Sequence, residues 1–216
     1  MTLPAAQQRL SVAEYLDLDA AAQDGRYEYH DGRVVALAGA SPEHNIVKEN
    51  LSGVLYGVLR PRGCHTFSTD QRVKVGRRYV YPDLVALCMD PVYTDETPPS
   101  LTNPELLVEV TSGSTRQDDA TGKLESYMGV GSLREYWIVE PTEAQIIQYI
   151  RRGDDWIVRP VTGLEATLHC EAFDINLDLS DIYVLIEMDD GQAGGEGRLA
   201  GDAADEDTET PDASAN

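Results

Sequence analysis

Apolar residues at Ile46, Val47, Leu51, Val54, Leu55, Val58 and Leu59 recur three and four positions apart, which places them on one side of a helix. Ser41 followed by Pro42 supplies an N-cap and a first-turn proline, so the spacing predicts a helix over about 43–60. Ser11-Val12-Ala13-Glu14 has the order of a capping box and predicts a short helix near the N-terminus. A third helix is expected near 118–129, where Ala120, Leu124, Tyr127 and Met128 form the apolar stripe and Thr115 and Asp118 are cap candidates. Elsewhere the pattern is one of short extended runs. Tyr27–His30 and Arg33–Leu37 flank Asp31-Gly32, which predicts a hairpin. Cys64–Ser68, Gln71–Val75, Arg78–Cys88, Glu105–Thr111, Glu135–Glu140 and Ala144–Ile150 read as strands, with weaker candidates at Trp156–Val161 and Ala166–Cys170. The proline-rich stretch 91–104 reads as a loop. Helices that interrupt a run of strands imply an α/β fold, a central mixed sheet flanked by helices, with an N-terminal helix and hairpin.

Charge changes this picture at the C-terminus. Residues 188–216 hold nine acids and one arginine, which is −8 of the formal −21, and the remaining −13 belongs to the body. The tail has almost no apolar anchors, so burial cannot offset its ordering entropy. One globular domain over 1–187 and an acidic, disordered tail over 188–216 are therefore expected. An acidic body argues against broad nucleic-acid binding, which rests on Lys and Arg neutralising phosphates. The one local concentration of basic residues is Arg60, Arg62, Arg72, Lys74, Arg77 and Arg78. It could contact a phosphate backbone, and a solvated hairpin surface explains it equally well.

Cys64, Cys88 and Cys170 are sparse and odd in number. That argues against a disulfide framework and favours a reducing compartment, with the cysteines read as buried structural residues. No signal-peptide pattern opens the chain and no apolar run approaches bilayer length, so a soluble cytoplasmic protein without membrane contact is expected.

The chemistry lies in two acids on apolar runs. Asp83 sits in Val80-Tyr81-Pro82-Asp83-Leu84-Val85 and Glu109 in Leu106-Leu107-Val108-Glu109-Val110. A carboxylate on a buried strand is costly unless it is paired, hydrogen-bonded or bound to metal. Either acid alone reads best as one half of an ion pair. Together they suit a magnesium or manganese ion, which takes one or two carboxylates plus water and substrate phosphate.

Pro82-Asp83 followed by Glu109 resembles the PD-(D/E)XK nuclease signature. The phrases RYEYHDGRVVALAGASPEHNIV, YVYPDLVAL, ELLVEVTSGSTRQDDATGKLESYMGVGSLREYWIVEP and IIQYIRRGDDW resemble, in that order, the Uma-two family of restriction-endonuclease-like proteins, over about residues 11–185. The resemblance implies a restriction-endonuclease-like fold and a metal-dependent endonuclease acting on nucleic acid, DNA before RNA. It leaves room for a homodimer. The signature lysine departs from this pattern, because Thr111 stands two residues after Glu109. In similar proteins a lysine of the next helix replaces it, and the matching residue is Lys123. On residues alone Lys123 reads as an exposed partner of Asp119, and the resemblance moves it to the site. Glu28, at the family's Tyr-Glu phrase, is either a third metal ligand or the hairpin partner of Arg33. His44, in the first turn of the long helix, either approaches the metal site or is a satisfied interior histidine. The alternative to an enzyme is a non-catalytic nuclease-fold domain that binds a partner protein. The −13 body charge favours that alternative.

Overall fold

The computed structural model describes residues 9–23, 25–37, 39–68, 70–111, 124 and 126–188. The first helix, α1, spans Val12–Ala21. Its capping box is formed: Ser11 Oγ accepts from the Glu14 amide, and Glu14 Oε2 accepts from the Ser11 amide at 2.8 Å. Strands β1 (Tyr27–His30) and β2 (Arg33–Ala36) make the hairpin. Asp31 and Gly32 both take positive φ, 50° and 100°, as the tight turn between right-twisted strands requires.

Helix α2 spans Pro42–Leu59, with Ser41 Oγ accepting from the His44 amide. Val47, Leu51, Leu55 and Leu59 are buried on one side of it. Each leucine so buried contributes roughly 2–3 kcal/mol. The helix covers one face of a six-stranded sheet whose order is β10-β9-β8-β7-β6-β3. These strands are β3 (His65–Ser68), β6 (Leu84–Leu87), β7 (Leu106–Val110), β8 (Glu135–Val139), β9 (Gln145–Arg152) and β10 (Asp155–Thr162). Only β7 and β8 run parallel, so the sheet is mixed. Strands β6 and β8 are buried along their whole length, which explains the unbroken apolar sequence of β6, while β8 opens on the buried Glu135, whose Oε2 accepts from Trp137 Nε1. The opposite face carries Leu107, Ile138 and Val85 against Tyr127, Leu101 and the valines of a second sheet, ordered β2-β1-β5-β4. Its strands β4 and β5 are Val73–Val75 and Arg78–Val80.

Three expectations change. The single strand expected over Arg78–Cys88 is two strands, β5 and β6, in different sheets. The break falls at Tyr81-Pro82-Asp83, because proline offers no amide to a ladder and the Tyr81 amide donates to the Glu28 side chain instead, at 3.1 Å. Cys64 and Cys88 form a disulfide, against the expectation of reduced cysteines. Antiparallel pairing of β3 with β6 sets His65 opposite Leu87, and one step further brings Cys64 opposite Cys88, with Cα atoms 4.1 Å apart. That pairing joins residues 24 positions apart, and the cysteine count carries no trace of it. The argument from cysteine usage to a reducing compartment therefore falls. Finally, β11 (Thr167–Cys170) pairs with β12 (Ile175–Asp178), which leads into a closing helix, Leu179–Ile182. Neither β12 nor this helix was expected. The helix packs on α2, where Asn50 Nδ2 donates to the carbonyls of Ile182 and Val184, and Ile175 and Leu177 of β12 join the same core cluster.

Of the helix expected over 118–129, Leu124 and residues 126–128 are helical, and its earlier part lies outside the described residues, as does the C-terminal tail. Among the described residues no helix is long and apolar enough to cross a membrane.

Candidate active site

Strands β6 and β7 are antiparallel, with Leu84 opposite Val108. The same register continued by one residue sets Asp83 opposite Glu109. Both acids thus stand where the six-stranded sheet meets the smaller one, Asp83 in the proline-induced break and Glu109 within β7. Asp83 Oδ2 accepts from the Val110 amide at 2.8 Å and is 3.2 Å from His44 Nε2. Its other oxygen has no hydrogen-bond partner among the described residues. Glu109 Oε1 accepts from the Tyr127 hydroxyl at 2.7 Å.

Burial, and then the charge of Glu109, push the Tyr127 phenol well above its ordinary range, so it stays protonated and donates. The ring packs edge-on against Tyr136 at 5.0 Å between centroids, which fixes the hydroxyl on the carboxylate. Tyr136 is raised likewise, by burial first and then by acids that include Glu109, Asp83 and Glu28. These three carboxylates converge on one pair of tyrosines.

Glu28 is buried on β1. Oε1 takes the Tyr81 amide and Oε2 lies 2.8 Å from His30 Nε2. Its hydrogen-bonding neighbour on the strand is His30, which stands across the hairpin from Arg33. The expectation of an Arg33 partner is corrected, since strand alternation and the turn put Val35, not Arg33, opposite Glu28. His44 is brought to the site by the start of α2. Its imidazole pKa is raised, chiefly by the hydrogen bond to Asp83, against burial and against the charge of Lys48. Its Nδ1 is buried and has no hydrogen-bond partner among the described residues.

Asp83, Glu109, Glu28 and His44 are therefore neighbours, and Lys123 lies outside the described residues. Among the described residues no three His, Cys, Asp or Glu side chains are already arranged as a metal cage. The donor set fits a hard cation that keeps most of its waters: two facing carboxylates, one with an oxygen that no described residue bonds.

The basic stretch is spread over several elements with different partners. Arg72 is buried on Asp19, Lys74 pairs with Glu96, Arg77 pairs with Asp31 at the surface, Arg62 donates to the Phe173 carbonyl, and Arg60 lies over the Tyr56 ring. Lys74, Arg77 and Arg78 belong to the β4–β5 hairpin, where Arg77 is exposed, while Arg60, Arg62 and Arg72 lie elsewhere. Sequence reasoning also missed the role of Tyr127, which reads only as part of an apolar stripe, and it missed Lys48. The signal for Lys48 was present: a lysine four residues after His44, inside the buried arc of α2.

A mixed sheet with two facing acids at a strand break, helices on its faces and a helix-borne histidine defines an α/β protein of the restriction-endonuclease-like class. The chain belongs to the Uma2 family, whose sequence model, described as "Putative restriction endonuclease", matches residues 12–180. It is 30% identical over 171 residues to the Synechocystis protein sll1609, covering 78% of this chain and 96% of that one. With a second Synechocystis protein, slr1290, it shares 31% identity over 153 residues, covering 69% and 79%. The fold also matches the crystal structure of an Anabaena variabilis protein described as "a putative nuclease belonging to DUF820", with a TM-score of 0.63, 17% identity, and coverage of 78% and 97%.

Proposed function

We propose that this protein is a divalent-metal-dependent endonuclease that hydrolyses phosphodiester bonds of DNA. The observation that carries the reading is the facing pair Asp83 and Glu109, with an Asp83 oxygen that no described residue bonds and His44 hydrogen-bonded to the same carboxylate. The descriptions of the family and of the Anabaena protein support a nuclease-like activity.

In this reading Asp83 and Glu109 would hold magnesium or manganese, which would supply Lewis-acid activation of water and charge compensation at the phosphate. The chain's own residues fix that geometry. The Val110 amide and His44 orient Asp83, the Tyr127 hydroxyl orients Glu109, and Glu28 holds the Tyr81-Pro82 turn that delivers Asp83. Lys123 would orient the attacking water or offset negative charge as the bond to phosphorus forms. Hydrolysis then forms one P–O bond to the water oxygen, breaks one to the sugar oxygen, and transfers the water's proton toward the leaving oxygen.

The test is incubation of plasmid, single-stranded DNA and RNA with magnesium or manganese, alongside an Asp83→Ala preparation. Cleavage of DNA by the wild type and none by the variant is expected. Cleavage by both preparations would reveal a contaminant. No cleavage by either would favour the second reading, a non-catalytic domain that binds a partner protein, to which the −13 charge of the body lends weight.

A further inference from the structure

Lys48 lies one helical turn beyond His44 on α2, and residues four apart share a helix face. Its side chain is only 10% exposed, in an arc otherwise made of Val47, Leu51, Leu55 and Leu59. An ammonium so buried is costly unless it is well partnered. Among the described residues its one ionic partner is Glu49 Oε1 at 3.8 Å, on a side chain that is 67% exposed. That distance is beyond a hydrogen bond. Adjacent residues on a helix also point apart, so Glu49 is a poor reason to bury a lysine. His44, four residues earlier on that face, puts its Nε2 3.2 Å from Asp83 Oδ2, so Lys48 stands on the side of α2 that meets the site.

Several other cations among the described residues are already engaged. Arg72 has Asp19 and Ser100 as partners, Arg151 donates to three carbonyls, and Arg152 and Arg159 share Glu171. A body of net charge −13 can attract phosphate only through a local cation. We propose that Lys48 is the phosphate anchor of this site, its ammonium binding a backbone phosphate of DNA beside Asp83. The inference rests on the nuclease reading and adds the residue that meets the charge of the substrate. The competing role is a fixed counter-charge for Asp83, Glu28 and Glu109. The two roles differ in what the salt dependence of binding reports, because each phosphate that is no longer neutralised lowers the slope of log affinity against log salt by about 0.9 for duplex DNA.

The experiment is fluorescence anisotropy with a fluorescein-labelled duplex DNA in calcium buffer, over a salt series, for wild type, Lys48→Met, Lys48→Gln and Lys48→Arg. Melting curves and manganese calorimetry accompany it. Lys48→Met should melt at or above the wild-type temperature, since it exchanges a buried charge for a side chain of similar shape. It should bind manganese at least as tightly. DNA affinity should fall about tenfold and the salt slope by about 0.9, with most of the affinity recovered in Lys48→Arg. Lys48→Gln carries the comparison if Lys48→Met does not fold. Unchanged affinity, or a weakening with an unchanged salt slope, makes Lys48 a counter-charge and overturns the proposal. So does a wild type that does not bind the duplex. The metal reading fails separately, if manganese binds wild type and Asp83→Ala equally.

Discussion

Asp19 and Asp83 are both acids held within the fold, and they are treated in opposite ways. Asp19 is saturated: Oδ1 accepts from the Tyr27 amide at 3.1 Å, and Oδ2 from Arg72 at 2.9 Å and the Tyr81 hydroxyl at 2.5 Å. Its partner Arg72 is saturated in turn by Ser100 and the Pro98 carbonyl, with the Tyr15 and Tyr79 rings beneath its guanidinium. Asp83 has no arginine partner among the described residues. It has one backbone amide, one histidine and an oxygen that none of the described residues bonds. A buried acid whose every valence is met by its neighbours is structural, while one that is oriented but left incomplete by the described residues keeps room for a further ligand. Tyr81 links the two, its hydroxyl on Asp19 and its amide on Glu28, two residues before Asp83. The saturated cluster thereby anchors the turn that carries the incomplete one.

Substitutions should separate the two regions. Asp19→Ala leaves Arg72 buried without its counter-charge, which typically costs about 3–5 kcal/mol. A urea titration should show that loss, and a loss below about 1 kcal/mol would show that the pair is effectively solvated. Asp83→Ala should do the reverse. The fold should persist, while manganese binding measured by calorimetry weakens and any cleavage falls by on the order of a hundredfold or more. A variant that binds manganese normally would remove Asp83 from the site.

Tyr127→Phe sharpens the comparison, because it removes only the hydroxyl that orients Glu109. Manganese affinity should fall about tenfold or more, as for other groups that orient a metal ligand. Thermal stability should fall by about 1 kcal/mol, the worth of one hydrogen bond. A stability loss with unchanged metal affinity would place the hydroxyl in packing alone.

The smallest effect is expected at the surface. Arg152, then Arg159, hold the Glu171 carboxyl below its ordinary value of 4.5. A lowered carboxyl contributes stability above its unfolded pKa and loses it as pH falls through the lower folded value. Glu171→Gln should therefore cost under about 1 kcal/mol at neutral pH and nothing once both states are protonated. In high salt the difference between variant and wild type should vanish. A cost that survives high salt would mean that Glu171 acts through packing.

Much of this was legible in the chain. The helix over Pro42–Leu59, the Asp31-Gly32 hairpin, the capping box at Ser11 and the runs carrying Glu109 and Glu135 are local signals, set by spacings within one element. Asp83 and Glu109 stood out because a charge inside an apolar run conflicts with its surroundings wherever the run is placed. Pairing across elements carries no such local mark. The Cys64–Cys88 bridge follows from the register of β3 on β6, and the split of Arg78–Cys88 from competition between Glu28 and a ladder for the Tyr81 amide.

By itself, then, the sequence determined which residues are costly to bury and so must find partners: Asp83, Glu109, Glu28, His44 and, unnoticed, Lys48. Only the tertiary structure decided which costs are met within the chain. Arg72, which reads as a surface cation beside Lys74, is buried and fully engaged, while Lys48 on an apolar arc is left near Asp83 with a distant partner. The reason is physical. Desolvation is a property of each residue and its near neighbours, whereas its compensation depends on donors and acceptors brought from far along the chain by strand register and helix docking.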